Sequence, residues 1–135
     1  MKTASQVVDT MYNGDAFSQW LGIERIEVRA GYCKLKMTVR SEMTNGFNIA
    51  HGGISYSLAD SALAFASNGH GEQAVSIETS ISHTKAVKAN DVLFAEATEQ
   101  NLSRKTGLYE VRVTNQNQEL VALFKGTVYR TGKAW

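Results

Sequence analysis

Proline is absent from this chain of 135 residues, and cysteine occurs only once. Without proline, the turns must be built mainly from glycine and asparagine, which tolerate the backbone angles that tight turns need. The single cysteine, Cys33, excludes a disulfide framework within the chain and is typical of a protein from a reducing compartment. These absences argue against a small secreted scaffold.

Two further absences concern net charge and long apolar segments. The 14 lysine and arginine residues nearly balance the 13 aspartate and glutamate residues, which excludes the strongly basic character of a nucleic-acid-binding domain. No segment approaches the roughly 20 apolar residues of a membrane span, and the first residues lack the apolar stretch of a secretion signal. We therefore expect one soluble cytoplasmic domain over residues 1–135 that binds neither nucleic acid nor membrane.

The hydrophobic pattern predicts an α+β protein. Apolar residues recur at helical spacing over residues 3–21, and the Ala- and Leu-rich segment 52–68 predicts a second helix. Alternation over residues 32–39 predicts a strand with Cys33 on its buried face, where a free cysteine is most often structural. Further strands are predicted at 23–29, 74–83, 91–100, 107–115 and 119–130. We expect a mostly antiparallel sheet that wraps around helix 52–68.

Asp60 is the only Asp, Glu, Lys or Arg between Met43 and Gly71, a stretch of 29 residues. It lies in the middle of the second predicted helix, where a buried carboxylate without partners is costly. Two interpretations are open at this point. The side chain pairs with another group or lies on a solvated stripe of the helix, or it takes part in chemistry.

The segment before this helix contains the second candidate feature. Gly52 and Gly53 leave backbone N–H groups at the start of the helix that no Cβ atom hinders. Together with the positive end of the helix dipole, these donors suit an oxyanion or a polarised carbonyl. His51 and Asn45 lie close enough in sequence to help shape such a pocket. Each feature also has a plain explanation, a tight turn for the glycines and a structural role for the histidine.

The distance between the two features predicts an assembly. Gly52 and Asp60 are eight residues apart, which is about 12 Å along a helix. One reacting carbonyl cannot contact both at hydrogen-bond distance. If both act on one substrate, they must come from different subunits, so we expect at least a homodimer with two antiparallel helices across a twofold axis.

The motif that contains both features resembles the signature of phenylacetyl-CoA thioesterases of the PaaI type, within the hotdog superfamily. It runs from Asn45-Gly46 through His51-Gly52-Gly53 and Ser57-Leu58-Ala59-Asp60-Ser61 and ends at Asn68. The similarity covers about residues 17–130 and continues through three later segments, Asp91-Val92-Leu93, Thr106-Gly107-Leu108-Tyr109-Glu110-Val111 and Val121-Ala122-Leu123-Phe124-Lys125-Gly126.

The resemblance implies a hotdog fold and a homodimer or dimer-of-dimers tetramer with active sites at the subunit interface. It implies that Asp60 is the general base or nucleophile and that the Gly52 N–H polarises the thioester carbonyl, with His51 and Asn45 in support. Members of the family commonly have a proline and a glycine where this chain has Ala86 and Asn90. These two departures bear on the shape of the nearby CoA-binding loop and not on the chemistry.

The resemblance also favours an aryl-acyl-CoA substrate, such as phenylacetyl- or hydroxyphenylacetyl-CoA. It implies no cofactor and no metal, because coenzyme A is part of the substrate. We expect the phosphates of CoA to bind basic residues near strand ends. The candidate substrate-binding residues are Gly53, Lys85, Arg104, Lys105, Thr106 and Gly107.

Other functions stay open at the level of the sequence. A hotdog enoyl-CoA hydratase uses a histidine as well as an acid, and His51 supplies the former. A non-catalytic acyl-CoA-binding module needs no aspartate in the helix, so Asp60 argues against it. A purely structural oligomer is a third alternative.

Overall fold

Six strands form one antiparallel sheet in the order β1-β2-β4-β5-β6-β3. The computed structural model describes all 135 residues. The elements in chain order are α1 (Ala4–Asn13), α2 (Ala16–Leu21), β1 (Glu24–Arg29), β2 (Tyr32–Thr38), a 3-10 turn (Ser41–Met43), α3 (Gly52–Asn68), β3 (Glu72–His83), β4 (Val92–Leu102), β5 (Thr106–Thr114) and β6 (Leu120–Ala134). The prediction of an α+β hotdog fold is confirmed.

The helix predicted over residues 3–21 is wrong as one continuous element. It is interrupted at Gly14, which ends α1, and Asp15, which caps α2 by accepting a hydrogen bond from the Ser18 N–H. A capping aspartate satisfies an otherwise unpaired N–H, so a new helix begins there. The short α2 then lies against α3, and a hydrogen bond between the Ser18 and Ser61 hydroxyls, with the oxygens 2.8 Å apart, joins the two helices.

The core lies between α3 and the concave face of the sheet. Helix α3 contacts all six strands, and its buried residues include Leu58, Ala59, Ala62 and Phe65. The helix approaches β6 so closely that a Cβ atom on Gly126 would lie 2.6 Å from Leu63 Cδ2. This close approach explains a glycine in the middle of a strand.

Cys33 belongs to this core, as the alternation of β2 predicts. Its side chain is fully buried, and burial raises the pKa of the thiol to about 12. A thiol that stays protonated in an apolar environment is a poor nucleophile. Cys33 therefore has a structural role.

The two edges of the sheet differ in what they leave open. β1 forms one edge and pairs only with β2, whereas β3 forms the other edge and pairs only with β6. β3 exposes Val75 and Ile77.

None of the helices combines the length and the hydrophobicity needed to span a bilayer.

Candidate active site

Asp60 lies on the one stripe of α3 that the rest of the chain leaves partly accessible. This stripe follows helical spacing through Gly53, Ser57, Asp60 and Ala64, between β3 on one side and α2 on the other. The Asp60 carboxylate makes no hydrogen bond and no ion pair within the chain. It lines a cleft of about 270 Å³ whose other residues come from α3, α1, β3 and β6.

The environment of Asp60 disfavours its charged form. Burial raises the pKa of the carboxyl above its ordinary value, and the negative charge of Asp15 raises it further. A half-buried carboxylate without a partner costs folding free energy. Such a group is a candidate for function, because perturbed carboxyl groups in clefts are common at active sites.

A purely structural role does not fit Asp60. Asp15, by contrast, has a structural role. Its two carboxylate oxygens accept hydrogen bonds from the Ser18 N–H and the Ser18 hydroxyl at 2.9 and 2.6 Å. Asp60 caps no helix end and holds no neighbouring element. The interpretation that it serves chemistry is therefore the better supported of the two.

The second candidate feature, the start of α3, is shaped by the loop that precedes it. Asn45 closes this loop, since its side-chain oxygen accepts from the Phe47 N–H at 2.9 Å and its backbone N–H donates to the Ile49 carbonyl at 2.8 Å. The His51 N–H donates to the Met43 carbonyl at 2.8 Å. These bonds fix where the helix begins.

The two glycines at the helix start differ in their free donors. His51 is the N-cap, and its Nδ1 accepts from the Gly53 N–H at 3.0 Å. The Ile54 N–H donates to the His51 carbonyl at 2.9 Å. The Gly52 N–H has no acceptor within the chain. Gly52 therefore presents a free donor that a carbonyl oxygen could use at this helix end.

His83, at the end of β3, lies directly over Gly52. A Cβ atom at Gly52 would lie 3.2 Å from His83 Nε2, so any larger residue would crowd the ring. The other ring nitrogen, Nδ1, lies 3.5 Å from the Ser55 hydroxyl. Glycine at this position thus keeps the helix start open beside an imidazole.

Gly52 and Asp60 line different clefts of the chain. The cleft at Gly52 measures about 400 Å³ and is also lined by Asn45, His83 and Lys85, but not by Asp60. Lys85 pairs with Glu119 at 3.3 Å. His51 and Gly53 line a third cleft on the opposite side of the helix start. One chain therefore brings together part of the predicted site around Gly52 and leaves Asp60 apart.

The remaining predicted residues lie at the other end of the sheet. Arg104 and Lys105 are exposed in the turn between β4 and β5. Gly107 is buried against Tyr109 and Val128. Since Thr106 pairs with Tyr129 and His83 pairs with Ala122, about seven residues of β6, or roughly 23 Å, separate the two ends. The substrate-binding roles of these residues stay predictions.

Three residues near the candidate site were not predicted from the sequence. His83 and Ser55 lie at Gly52, and Ser76 lines the Asp60 cleft with its hydroxyl free of partners in the chain. The only signal for His83 was a histidine at a strand end, and a serine in a serine-rich strand carries none. No three His, Cys, Asp or Glu side chains are grouped so that they could hold a metal ion.

The loop after β3 contains asparagine at a position where the family commonly has glycine. Asn90, where the family commonly has glycine, has a φ of 75°. Glycine adopts this left-handed conformation most readily and asparagine is among the residues that tolerate it next best, so Asn90 is compatible with a position where glycine is common.

The fold and the family model define the class of this protein. The model described as the thioesterase superfamily matches residues 47–122, which include Gly52, Asp60 and His83. The chain belongs to the thioesterase superfamily. The prediction of a thioester hydrolase is confirmed at this level.

Individual relatives narrow the likeness to the PaaI type. Over 129 residues the chain is 39% identical to the acyl-coenzyme A thioesterase PaaI of Escherichia coli, covering 96% of this chain and 92% of the relative. The structure of E. coli PaaI, from the phenylacetic acid degradation operon, superposes with a TM-score of 0.95 at 38% identity, covering 97% and 95% of the two chains. A hypothetical thioesterase of Streptococcus pneumoniae, solved with coenzyme A, superposes with a TM-score of 0.87 at 27% identity, covering 93% and 98%.

Proposed function

We propose that this protein hydrolyses the thioester of an aryl-acyl-CoA, such as phenylacetyl- or hydroxyphenylacetyl-CoA, to the free acid and CoA. The observation that carries the proposal is the unpaired, half-buried carboxylate of Asp60 in a chain whose α3 begins with a free Gly52 N–H. The activity named for the E. coli relative and the coenzyme A of the S. pneumoniae structure support the substrate class. The operon of the E. coli relative supports the aryl group.

Two routes of hydrolysis use the same residues. As a base, Asp60 takes a proton from water while the water oxygen adds to the carbonyl carbon. The tetrahedral alkoxide then collapses, the C–S bond breaks, and the leaving thiolate takes the proton back from Asp60. As a nucleophile, the carboxylate attacks the carbonyl carbon and displaces the thiolate, and water cleaves the resulting mixed anhydride. In both routes the Gly52 N–H stabilises the negative oxygen.

The proposed site is shared between two subunits. Asp60 and the Gly52 N–H lie in separate clefts of one chain. If two copies meet through the partly accessible stripe of α3 in antiparallel orientation, Asp60 of one copy approaches the helix start of the other. Each dimer then contains two equivalent sites.

The β3 edge supports this arrangement. β3 is twelve residues long, is paired on one side only, and exposes Val75 and Ile77. Long edge strands with exposed aliphatic residues are prone to pair with another chain. Antiparallel pairing of two β3 strands would place the Val75 end, beside Asp60, against the His83 end, beside Gly52, of the partner.

The same arrangement divides the predicted substrate-binding residues between subunits. Asn45, His51, Gly53 and Lys85 would come from the subunit that provides Gly52. Arg104, Lys105, Thr106 and Gly107 would come from the subunit that provides Asp60. Lys85, Arg104 and Lys105 could then hold the phosphates of one CoA molecule from two sides.

The test is CoA release from phenylacetyl-CoA, followed with a thiol reagent. We expect the wild-type protein to release CoA and Asp60→Asn to lower kcat by about 100- to 10,000-fold, because the base or nucleophile is lost. Asp9→Asn, the same change in an exposed residue that pairs with Arg25, should leave kcat unchanged.

Two results would overturn the proposal. Near-wild-type turnover of Asp60→Asn would refute its role. Binding of acyl-CoA without CoA release, or hydration of an enoyl-CoA in its place, would favour the non-catalytic module or the hydratase.

A further inference from the structure

Two aromatic side chains on α2, Phe17 and Trp20, are about half exposed. Phe17 and Trp20 lie one turn apart on the same face of the helix and remain 53% and 49% exposed. Their rings stack at a centroid distance of 6.0 Å with planes 11° apart. Leu21, on the other face, supplies the contact of α2 with the core. Burying aromatic surface is favourable, so an exposed pair is a candidate binding surface.

These rings form one wall of a cleft at the start of α3, which we call the aromatic cleft. Its apolar residues are Phe17, Trp20, Met43 and Ile54. Its volume is about 400 Å³. A cavity of about 150 Å³ holds benzene, so a phenyl ring with its methylene group fits.

The aromatic cleft adjoins the proposed reaction centre. His51 and Gly53, the residues on either side of Gly52, both line it. Gly52 itself lines the separate cleft that contains Lys85. A thioester carbonyl at the Gly52 N–H has two arms, the acyl group and the CoA chain. The cationic Lys85 suits the phosphate-bearing arm, and the aromatic cleft suits an apolar acyl arm.

Arg40 holds the Trp20 wall in place. Its guanidinium lies over the indole, 4.9 Å from the ring centroid, and donates to the carbonyl oxygens of Trp20 and Leu21 at 2.6 and 3.2 Å. The Arg40 side chain is itself fixed by Glu42 at 3.0 Å. A wall fixed in advance loses less conformational entropy when a ligand binds.

We propose that the aromatic cleft binds the aryl part of the acyl group and that Phe17 and Trp20 select for it. This inference rests on the proposed thioesterase function and assigns a specificity role to residues that take no part in the chemistry. An aromatic ring can make edge-to-face contact with Phe17 and Trp20, whereas a straight acyl chain of similar size gains only apolar contact.

The first experiment compares kcat/KM for phenylacetyl-CoA, hexanoyl-CoA and acetyl-CoA. We expect Trp20→Ala to lower kcat/KM for phenylacetyl-CoA by about tenfold or more, since buried ring contact is lost. The loss should be smaller for hexanoyl-CoA and absent for acetyl-CoA. Ile26→Ala, a truncation of an exposed apolar residue on β1, should change none of the three. An equal loss for all three substrates would overturn the proposal.

The second experiment reports binding without turnover. Trp20 and Trp135 are the only tryptophans, so Trp135→Phe leaves Trp20 as the sole indole reporter. The non-hydrolysable phenylethyl thioether of CoA should change the Trp20 emission, and CoA alone should not. If calorimetry shows that the thioether binds and the emission stays constant, the ring binds elsewhere.

Two further outcomes separate the possible failures. The aromatic cleft borders the proposed subunit contact through Gly53 and Ser57. If Trp20→Ala changes the oligomeric state in gel filtration, Trp20 is itself a contact between copies, and its assignment to the acyl group is overturned. If the wild-type protein releases CoA from no acyl-CoA, the proposed function fails, while the emission change still tests the cleft.

Discussion

Asp60 and Asp15 are close enough to influence each other, yet their environments differ. Asp15 is satisfied by the N–H and hydroxyl groups of Ser18, so its charge stabilises the start of α2. Asp60 has no partner, and both burial and the charge of Asp15 raise its pKa. An unpaired carboxylate with this environment is what the proposed catalytic role of Asp60 predicts.

The raised pKa predicts a stability effect with a definite sign. Folding disfavours the ionised form of Asp60, so the protein loses stability as pH rises from the ordinary value of 3.8 through the raised value. Asp60→Asn removes this cost. We expect the variant to be more stable than wild type by about 0.5–2 kcal/mol at pH 7, with the difference vanishing at acidic pH.

Thermal unfolding of both proteins between pH 3.5 and pH 8 measures this difference. A variant that is less stable than wild type at pH 7 would show that Asp60 has a stabilising partner in the assembled protein. Asp9→Asn serves as the control for a change of net charge.

Gly52 allows its backbone donor to be removed without removing the helix. It is the first residue of α3, where proline is compatible with the helix, and His51 before it has the extended ψ of 138° that a following proline prefers. Gly52→Pro therefore deletes the N–H, while Gly52→Ala adds the same Cβ atom beside His83 and keeps the N–H.

We expect Gly52→Pro to lower kcat by about 100-fold or more and Gly52→Ala to lower it much less, because one oxyanion donor is worth that amount. Steady-state kinetics of CoA release measure both variants. Equal losses would mean that the crowding at His83, and not the donor, controls the rate.

Some of these residues could be found from the sequence because their signal is local. A lone acid within 29 otherwise uncharged residues, and two glycines before a helix, are visible without a structure. His83 and Ser76 carry no such signal. They reach Gly52 and the Asp60 cleft only because β3 pairs with β6 beside α3, a long-range contact that depends on the whole sheet.

At the scale of elements, the strands were predictable and the helix break was not. Alternation of apolar and polar residues fixes which face of β2 is buried, and the bounds of β1 and β2 agree closely with the predicted ones. The break at Gly14-Asp15 was missed, because apolar residues continue at helical spacing across it. The hydrogen bonds by which Asp15 caps α2 determine where the new helix begins, and the spacing of apolar residues does not reveal them.

The proposed pairing of two β3 edges can be tested by adding a charge to this strand. A lysine is a common device against edge-to-edge pairing, so Ile77→Lys should separate the subunits and abolish CoA release together. Ile26→Lys places the same charge at an exposed residue of β1, on the opposite edge, and should preserve both. Light scattering and the CoA-release assay measure the two properties. A monomer with full activity would contradict the shared site.

For the whole molecule, the predicted site residues fall into two groups at opposite ends of the sheet. The helix rise alone predicts that Gly52 and Asp60 cannot act on one carbonyl within one chain, and their separate clefts agree with this. The spacing could not predict which surface would join two copies in the proposed dimer. That requires knowing that β3 is an edge strand and that α3 leaves one stripe open.

The most direct measurement of the shared site is complementation between two inactive variants. Asp60→Ala and Gly52→Pro subunits, carrying different tags and produced together, form hybrid dimers in which one site has both intact residues and the other has neither. We expect each variant alone to be inactive and the mixture to recover about one quarter of wild-type CoA release, with activity in the purified hybrid. If Gly52 and Asp60 acted within one subunit, every site would carry a defect, and an inactive hybrid would contradict the account.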